Sequence, residues 1–189
     1  MPELEFTLFD TAIGCCGLAC FGKLYAGYAA RRPNDAATRA RVLRRFRSAQ
    51  EATPPSAVKH AMDGIAALLR GEARDLSAVT IDNEGTPEFN TRVYAIARTI
   101  PPGQTLTYGE IAQRLGDKLL AREVGTALGQ NPCPIIMPCH RVLAAGGKTG
   151  GFSAPGGVVT KLRLLTIEGA QPGGPTLFDR LPLVAPRRR

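Results

Sequence analysis

The 189-residue chain holds no apolar run approaching the ~20 residues that a membrane-spanning helix needs. Its first residues, Met1-Pro2-Glu3-Leu4-Glu5, are acidic where a secretory leader would be basic. The expectation is a cytoplasmic protein with no membrane association. Histidine is scarce, with His60 and His140 the only two. That scarcity works against zinc: Cys15, Cys16 and Cys20 lie close together, but adjacent thiols with no histidine nearby make a poor ligand spacing. Five cysteines are an odd number, which speaks for free thiols rather than a disulfide framework. No metal or cofactor is expected.

Also lacking is a dense stripe of positive charge. The net charge of +8 is spread out: residues 1–83 carry 11 basic and 9 acidic side chains, residues 84–171 carry 9 and 6, and residues 172–189 carry 4 and 1. A polyanionic partner is permitted, but its contacts must come from shape and a few placed groups. The run Arg39, Arg41, Arg44, Arg45, Arg47 reads as a solvated helix face.

What is present suggests two units and a tail. Residues 1–83 read as a small α/β domain, with strands at Phe6–Asp10, Gly14–Phe21 and Lys23–Ala30. A helix over Asp35–Ala49 is N-capped by Asp35, and a second over Ser56–Arg70 is stopped by Gly71. In the second, Val58, Met62, Ile65, Leu68 and Leu69 follow helical spacing and form a core stripe, while His60 stands alone. Cys15, Cys16 and Cys20 read as small packed side chains in a strand. Asp82-Asn83-Glu84-Gly85 reads as a linker.

Residues 84–171 form the second unit. Thr86 is an expected N-cap with Pro87 as the first helical residue, and Phe89, Val93, Ala97 and Ile100 make one apolar face. Thr107-Tyr108-Gly109-Glu110 has the capping-box pattern and opens a short helix ended by Gly116. A second helix follows over about Leu119 to Gly129, so the pair is a helix-turn-helix candidate. Residues 172–189 read as a flexible tail. The expected class is α+β: a small N-terminal mixed sheet/helix domain, then a mainly helical domain with a winged helix-turn-helix-like DNA-binding motif.

The chemistry concentrates in Asn131-Pro132-Cys133-Pro134-Ile135-Ile136-Met137-Pro138-Cys139-His140-Arg141-Val142. Three prolines rule out a regular helix there. Thiolate is the reactive form of cysteine, and a neighbouring His or Arg favours it. Adjacent residues of an extended segment point apart, however, so Cys139 and His140 need a turn or a bridging water to communicate. Cys133 reads as structural.

Pro138-Cys139-His140-Arg141-Val142, preceded by Gly129-Gln130-Asn131-Pro132, resembles the reactive core of the methylated-DNA–protein-cysteine methyltransferases, the O6-alkylguanine-DNA alkyltransferases. Ile100-Pro101, Gly103, Thr107-Tyr108-Gly109, Ile111-Ala112, Arg122, Val124-Gly125, Lys161, Leu164-Leu165 and Glu168-Gly169 match in order. The resemblance implies single, irreversible transfer of an alkyl group from O6-alkylguanine in double-stranded DNA to Cys139, with O4-alkylthymine a further candidate lesion. By resemblance His140 is the base, Glu168 orients it, Tyr108 assists the leaving group and Asn131 braces the turn. Arg122 inserts into the base stack from the minor groove, with Thr107, Ala121, Gly125 and Arg141 at the DNA interface. Pro138, Phe152 and Ser153 line the pocket, and the protein acts as a monomer. Phe152 stands where the family usually has Tyr, the Ser153–Gly157 loop is longer than in some members, and Glu123 replaces a small residue. A lesion-recognition module without transfer, or a regulator with Cys139 as sensor, are the competing readings. The family's recognition modules lack the reactive cysteine.

Overall fold

The computed structural model describes residues 4–21, 23–29 and 35–170, so the expected tail at 172–189 lies outside the described residues. Strands β1 (Glu5–Thr11) and β2 (Gly14–Phe21) form an antiparallel hairpin, and β3 (Lys23–Ala29) pairs with the far side of β2. A two-residue strand, β4 (Gln50–Glu51), lies parallel to β1, giving the order β3-β2-β1-β4.

Successive side chains of a strand point to opposite faces. Cys16, Leu18 and Cys20 therefore join one hydrophobic core, while Phe6 and Ala19 join another. Helix α1 (Asp35–Arg45) closes the second core with Val42. Helix α2 (Ser56–Leu69) supplies the first with Val58, Ile65, Leu68 and Leu69 of the expected stripe and with Ala61, while Met62 is only partly buried against that core. The buried cysteines of β2 are packed side chains, and burial raises Cys16 to about 11.

Helix α1 ends at Arg45, short of the expected Ala49. Pairing with β1 overrides helical continuation: Gln50 N–H donates to Leu4 and Ala52 N–H to Phe6, at 3.0 Å each, and Ala49 is buried beside Phe6. The start of α3 (Glu88–Arg98) also shifts. Pro87 rather than Thr86 is its N-cap, because Thr86 N–H closes a turn onto Asn83 O at 2.9 Å.

The capping box is realised at α4 (Tyr108–Arg114). Glu110 N–H donates to Thr107 Oγ1 at 3.1 Å, and Thr107 N–H donates to Glu110 Oε2 at 2.6 Å. The connecting turn is tighter than expected. Asp117 Oδ1 accepts from Leu119 N–H at 2.8 Å and caps a 3-10 turn over Lys118–Leu120, so α5 begins at Ala121 (Ala121–Gly129). Strands β5 (Leu106–Thr107) and β6 (Val142–Leu143) pair in parallel, and α6 (Gly157–Ile167) follows.

The main core runs through both halves, from Ile13 and Leu18 through Tyr94 and Val124 to Cys139 and Leu164. Among the described residues no helix is long and apolar enough to cross a membrane. Helix α1 approaches the sheet closely at Gly17, where a Cβ would meet Leu8 at 3.1 Å, Thr38 at 3.3 Å and Val42 at 3.4 Å. Gly17→Val should therefore lower stability by about 1–3 kcal/mol through overpacking. Chemical denaturation of the purified variant measures this.

Candidate active site

The three prolines turn the chain so that Cys139 ends up on a 3-10 turn, Cys139–Arg141, instead of an extended segment. Asn131 ties the turn together. Its Nδ2 donates to Met137 O at 2.7 Å and to Cys139 Sγ at 3.1 Å, and its Oδ1 accepts from Cys133 N–H at 2.9 Å. Ile135 sits inside the loop with φ at 79°, a left-handed conformation that a β-branched side chain adopts only under constraint. Ile135 is itself buried, which supplies the constraint.

Behind the thiol lies a closed ion-pair network. His140 Nε2 is 2.9 Å from Glu168 Oε1, and both side chains are almost fully buried. Arg141 clasps the same carboxylate with two bonds, Nε to Oε2 and an Nη to Oε1, each 2.8 Å, and donates a third to Ile100 O. Burial pushes Glu168 upward, but hydrogen bonds from His140 and Arg141 outweigh it and hold the carboxyl at about 2. An ionised carboxylate only accepts, so Nε2 carries the proton and Nδ1 is left as an acceptor. Nδ1 is buried and has no hydrogen-bond partner among the described residues. Burial lowers the pKa of His140, against the pull of Glu168, and so keeps the ring neutral.

Arg141 corrects the sequence-based expectation. It is buried, and its donors are taken by Glu168 and Ile100 rather than presented to DNA. A bidentate guanidinium is what holds a buried carboxylate ionised.

Cys139 opens onto a cavity of about 520 Å³ lined by Tyr108 from α4, by Ala121, Arg122, Gly125 and Leu128 from α5, and by Phe152 and Ser153. Apart from Leu128, these are expected site residues, and the fold brings them together. Pro138 is buried immediately before Cys139, and Thr107 commits its hydroxyl to the cap of α4. Arg122 is exposed at the start of α5, and Glu123 beside it is exposed with no ion pair to a described residue. Burial raises the pKa of Cys139; the Asn131 hydrogen bond and the charge of Lys161 oppose it. The resting group is a thiol that needs a base.

Gly150 and Lys161 join the site without being expected there from the sequence. A Cβ on Gly150, at φ +68°, would lie 2.9 Å from Tyr108 Cε2 and 3.0 Å from its hydroxyl. The phenol is therefore pressed against bare backbone. Lys161 is fully buried, donates to Val142 O at 2.6 Å, and sits 5.8 Å from the Tyr108 ring centroid. Burial lowers it to about 8. The Gly150-Gly151 pair is a readable signal of close backbone approach; the match of Lys161 to the family pattern marks the residue but not its burial, which depends on elements far apart in sequence.

His60 is exposed on α2 and has no part in the cavity. Asp10, Cys15 and Asp35 bring one ligand-type atom each within 4.8 Å of one another, but both carboxylates are exposed and the group is not among the cavity lining.

Because the folded Glu168 carboxyl lies at about 2 against an ordinary 4.5, its contribution to stability is full above the ordinary value and is lost as pH falls toward 2. Glu168→Gln should remove that acid-side loss and cost about 3–5 kcal/mol at neutral pH, since Arg141 is left buried without its counter-charge. Denaturation midpoints across acid pH for both proteins test this.

Three comparisons place the chain among known proteins. Residues 88–170 match the family model described as 6-O-methylguanine DNA methyltransferase, DNA binding domain. Methylated-DNA–protein-cysteine methyltransferase of Mycobacterium tuberculosis is 44% identical over 126 residues, covering 66% of this chain and 74% of that protein. The protein of that name from Methanothermobacter thermautotrophicus is 40% identical over 119 residues, 63% of this chain, and the match spans 65% of the relative's length. A crystal structure of Mycobacterium tuberculosis O6-methylguanine methyltransferase superposes with a TM-score of 0.70 at 34% identity, covering 88% of this chain and 93% of that one. A structure of the Mycobacterium tuberculosis protein in complex with DNA gives the same TM-score and identity, over 87% and 92%. With sequence, fold and the cysteine site in agreement, the chain belongs to the methylated-DNA–protein-cysteine methyltransferase family.

Proposed function

We propose that this protein repairs O6-alkylguanine in double-stranded DNA by taking the alkyl group onto Cys139, once per molecule. The observation that carries the reading is a buried thiol opening onto a base-sized cavity, with a neutral histidine and an ionised glutamate behind it. A guanine stacked in a duplex cannot reach such a thiol, so its nucleotide must be turned out into the cavity. On this reading Arg122, which is exposed and lines the cavity from α5, enters the minor groove and fills the vacated space.

The Cys139 proton passes through water to His140 Nδ1, the acceptor that Glu168 leaves free. Asn131 donates to the sulfur as its negative charge grows. The sulfur attacks the alkyl carbon, the carbon–O6 bond breaks, and its electron pair stays on guanine. The Tyr108 hydroxyl donates to the departing base. The product is a thioether that no neighbouring group is set to cleave. O4-alkylthymine is a second candidate lesion for the same chemistry, and the protein works as a cytoplasmic monomer on this reading.

Incubation with a duplex carrying O6-methylguanine should add one methyl group per chain at Cys139 by intact mass and peptide mapping, and Cys139→Ala should abolish it. Tight binding without mass gain would instead establish a lesion-recognition role. Arg122→Ala should slow transfer from duplex about tenfold or more, since each ~1.4 kcal/mol of lost insertion energy is a factor of ten. Because His140 is held neutral, the transfer rate should stay level as pH falls through the ordinary histidine value of 6.5, and drop only in stronger acid. A rate that already declines around 6.5 would contradict a buried neutral base.

A further inference from the structure

The arginine run of α1 reads from sequence as a uniform solvated face, and the fold divides it. Arg39 pairs with Glu51, Arg41 is half-buried, and Arg44, Arg45 and Arg47 are exposed. Arg41 and Arg45, one helical turn apart, line a cleft of about 210 Å³. Its facing walls are Asn131, Pro132 and Pro134 from the loop that carries Cys139, and Ala154 and Pro155 from the loop after Phe152. The cleft shares Gly129 and Ser153 with the catalytic cavity, so the two adjoin.

The chemistry of the cleft is one-sided. Neither Arg41 nor Arg45 forms an ion pair with a described residue, although Arg41 is half-buried. Arg45 rests over the Phe46 ring at 5.6 Å, and it also borders a neighbouring cleft where Asp82 and Glu84 lie without pairing to it. The three prolines contribute no backbone N–H, and the only charged donors lining this cleft are the two guanidinium forks, with the Gln130 amide and the Ser153 hydroxyl as neutral donors beside them. Two forks without an ion pair among the described residues suit an anion with several acceptor oxygens, and phosphate is the group they match bidentately.

We propose that Arg41 and Arg45 bind the phosphodiester backbone of the strand that delivers the lesion nucleotide. The inference rests on the reading of Cys139 as acceptor from DNA. An extruded nucleotide stays joined to its strand, so a flanking phosphate must lie near the mouth of the catalytic cavity, where this cleft opens. The N-terminal half then contributes directly to DNA binding, beyond the helix-turn-helix, and α1 and α5 hold the strand from two sides.

The test is binding of the full chain to a short duplex bearing one O6-methylguanine, by fluorescence anisotropy over a salt series, alongside methyl transfer at saturating DNA. Arg41→Gln with Arg45→Gln should weaken binding and reduce the slope of log affinity against log salt by about one for each phosphate no longer neutralised. Transfer at saturation should be unchanged. Arg41→Lys with Arg45→Lys should keep most of the slope, and Arg44→Gln with Arg47→Gln should leave it intact. Wild-type affinity and slope in the first variant would overturn the proposal. So would an equal reduction in the Arg44/Arg47 variant, which would show only general charge attraction, or in the lysine variant, which would show a disrupted structure. A reduced slope in a protein whose Cys139 never gains a methyl group would retain the arginine site and refute the alkyl-transfer reading.

Discussion

The site depends on one carboxylate shared by two neighbours. Glu168 closes α6, and its two oxygens are divided between His140 and Arg141, consecutive residues of the turn that begins with Cys139. Arg141 makes it possible for Glu168 to stay ionised where water cannot reach. The ionised carboxylate in turn sets the tautomer of His140 and leaves Nδ1 as the acceptor. A charge buried in this way costs free energy unless its partners are held in good geometry. The turn and the end of α6 are thereby locked together, and that lock fixes the orientation of the turn carrying Cys139.

Around this lock the protein builds a cavity by leaving side chains out. Gly150 lets Tyr108 lie against the backbone, and Gly125 of α5 keeps its own side of the ring open, with a Cβ there 3.9 Å from the phenol carbons. Lys161 spans from α6 to β6 underneath. The wall that would face DNA and the floor that holds the thiol are one packed unit, continuous with the core that reaches the N-terminal sheet.

Much of this is legible in the residues. The capping box at Thr107 and Glu110, the strand over Gly14–Phe21 and the apolar stripe of α2, Met62 apart, are local patterns that form as their residues predict. Where sequence and structure part, non-local pairing is the cause. Ala49 leaves a helix because β1 offers Gln50 and Ala52 a strand partner, and Leu119 leaves α5 because Asp117 captures its N–H. Among site residues Arg141 is misplaced by sequence reasoning for a related reason. A charged residue beside a reactive cysteine looks like a DNA contact until its carboxylate partner, 27 positions away, is brought beside it.

The sequence by itself determined that the prolines bar a regular helix around a cysteine followed by histidine and arginine, and its resemblance to the family implied that this segment is the reactive element, with Asn131 as its brace. The first is a property of a short segment, and local chemistry dictates it. Only the tertiary structure decided that His140 is neutral with Nδ1 free, that Arg141 serves Glu168, that Lys161 is buried beneath Tyr108, and that Arg41 and Arg45 face the active-site loops. Each of those depends on burial and on partners distant in the chain, and both arise only when the two halves pack around one core.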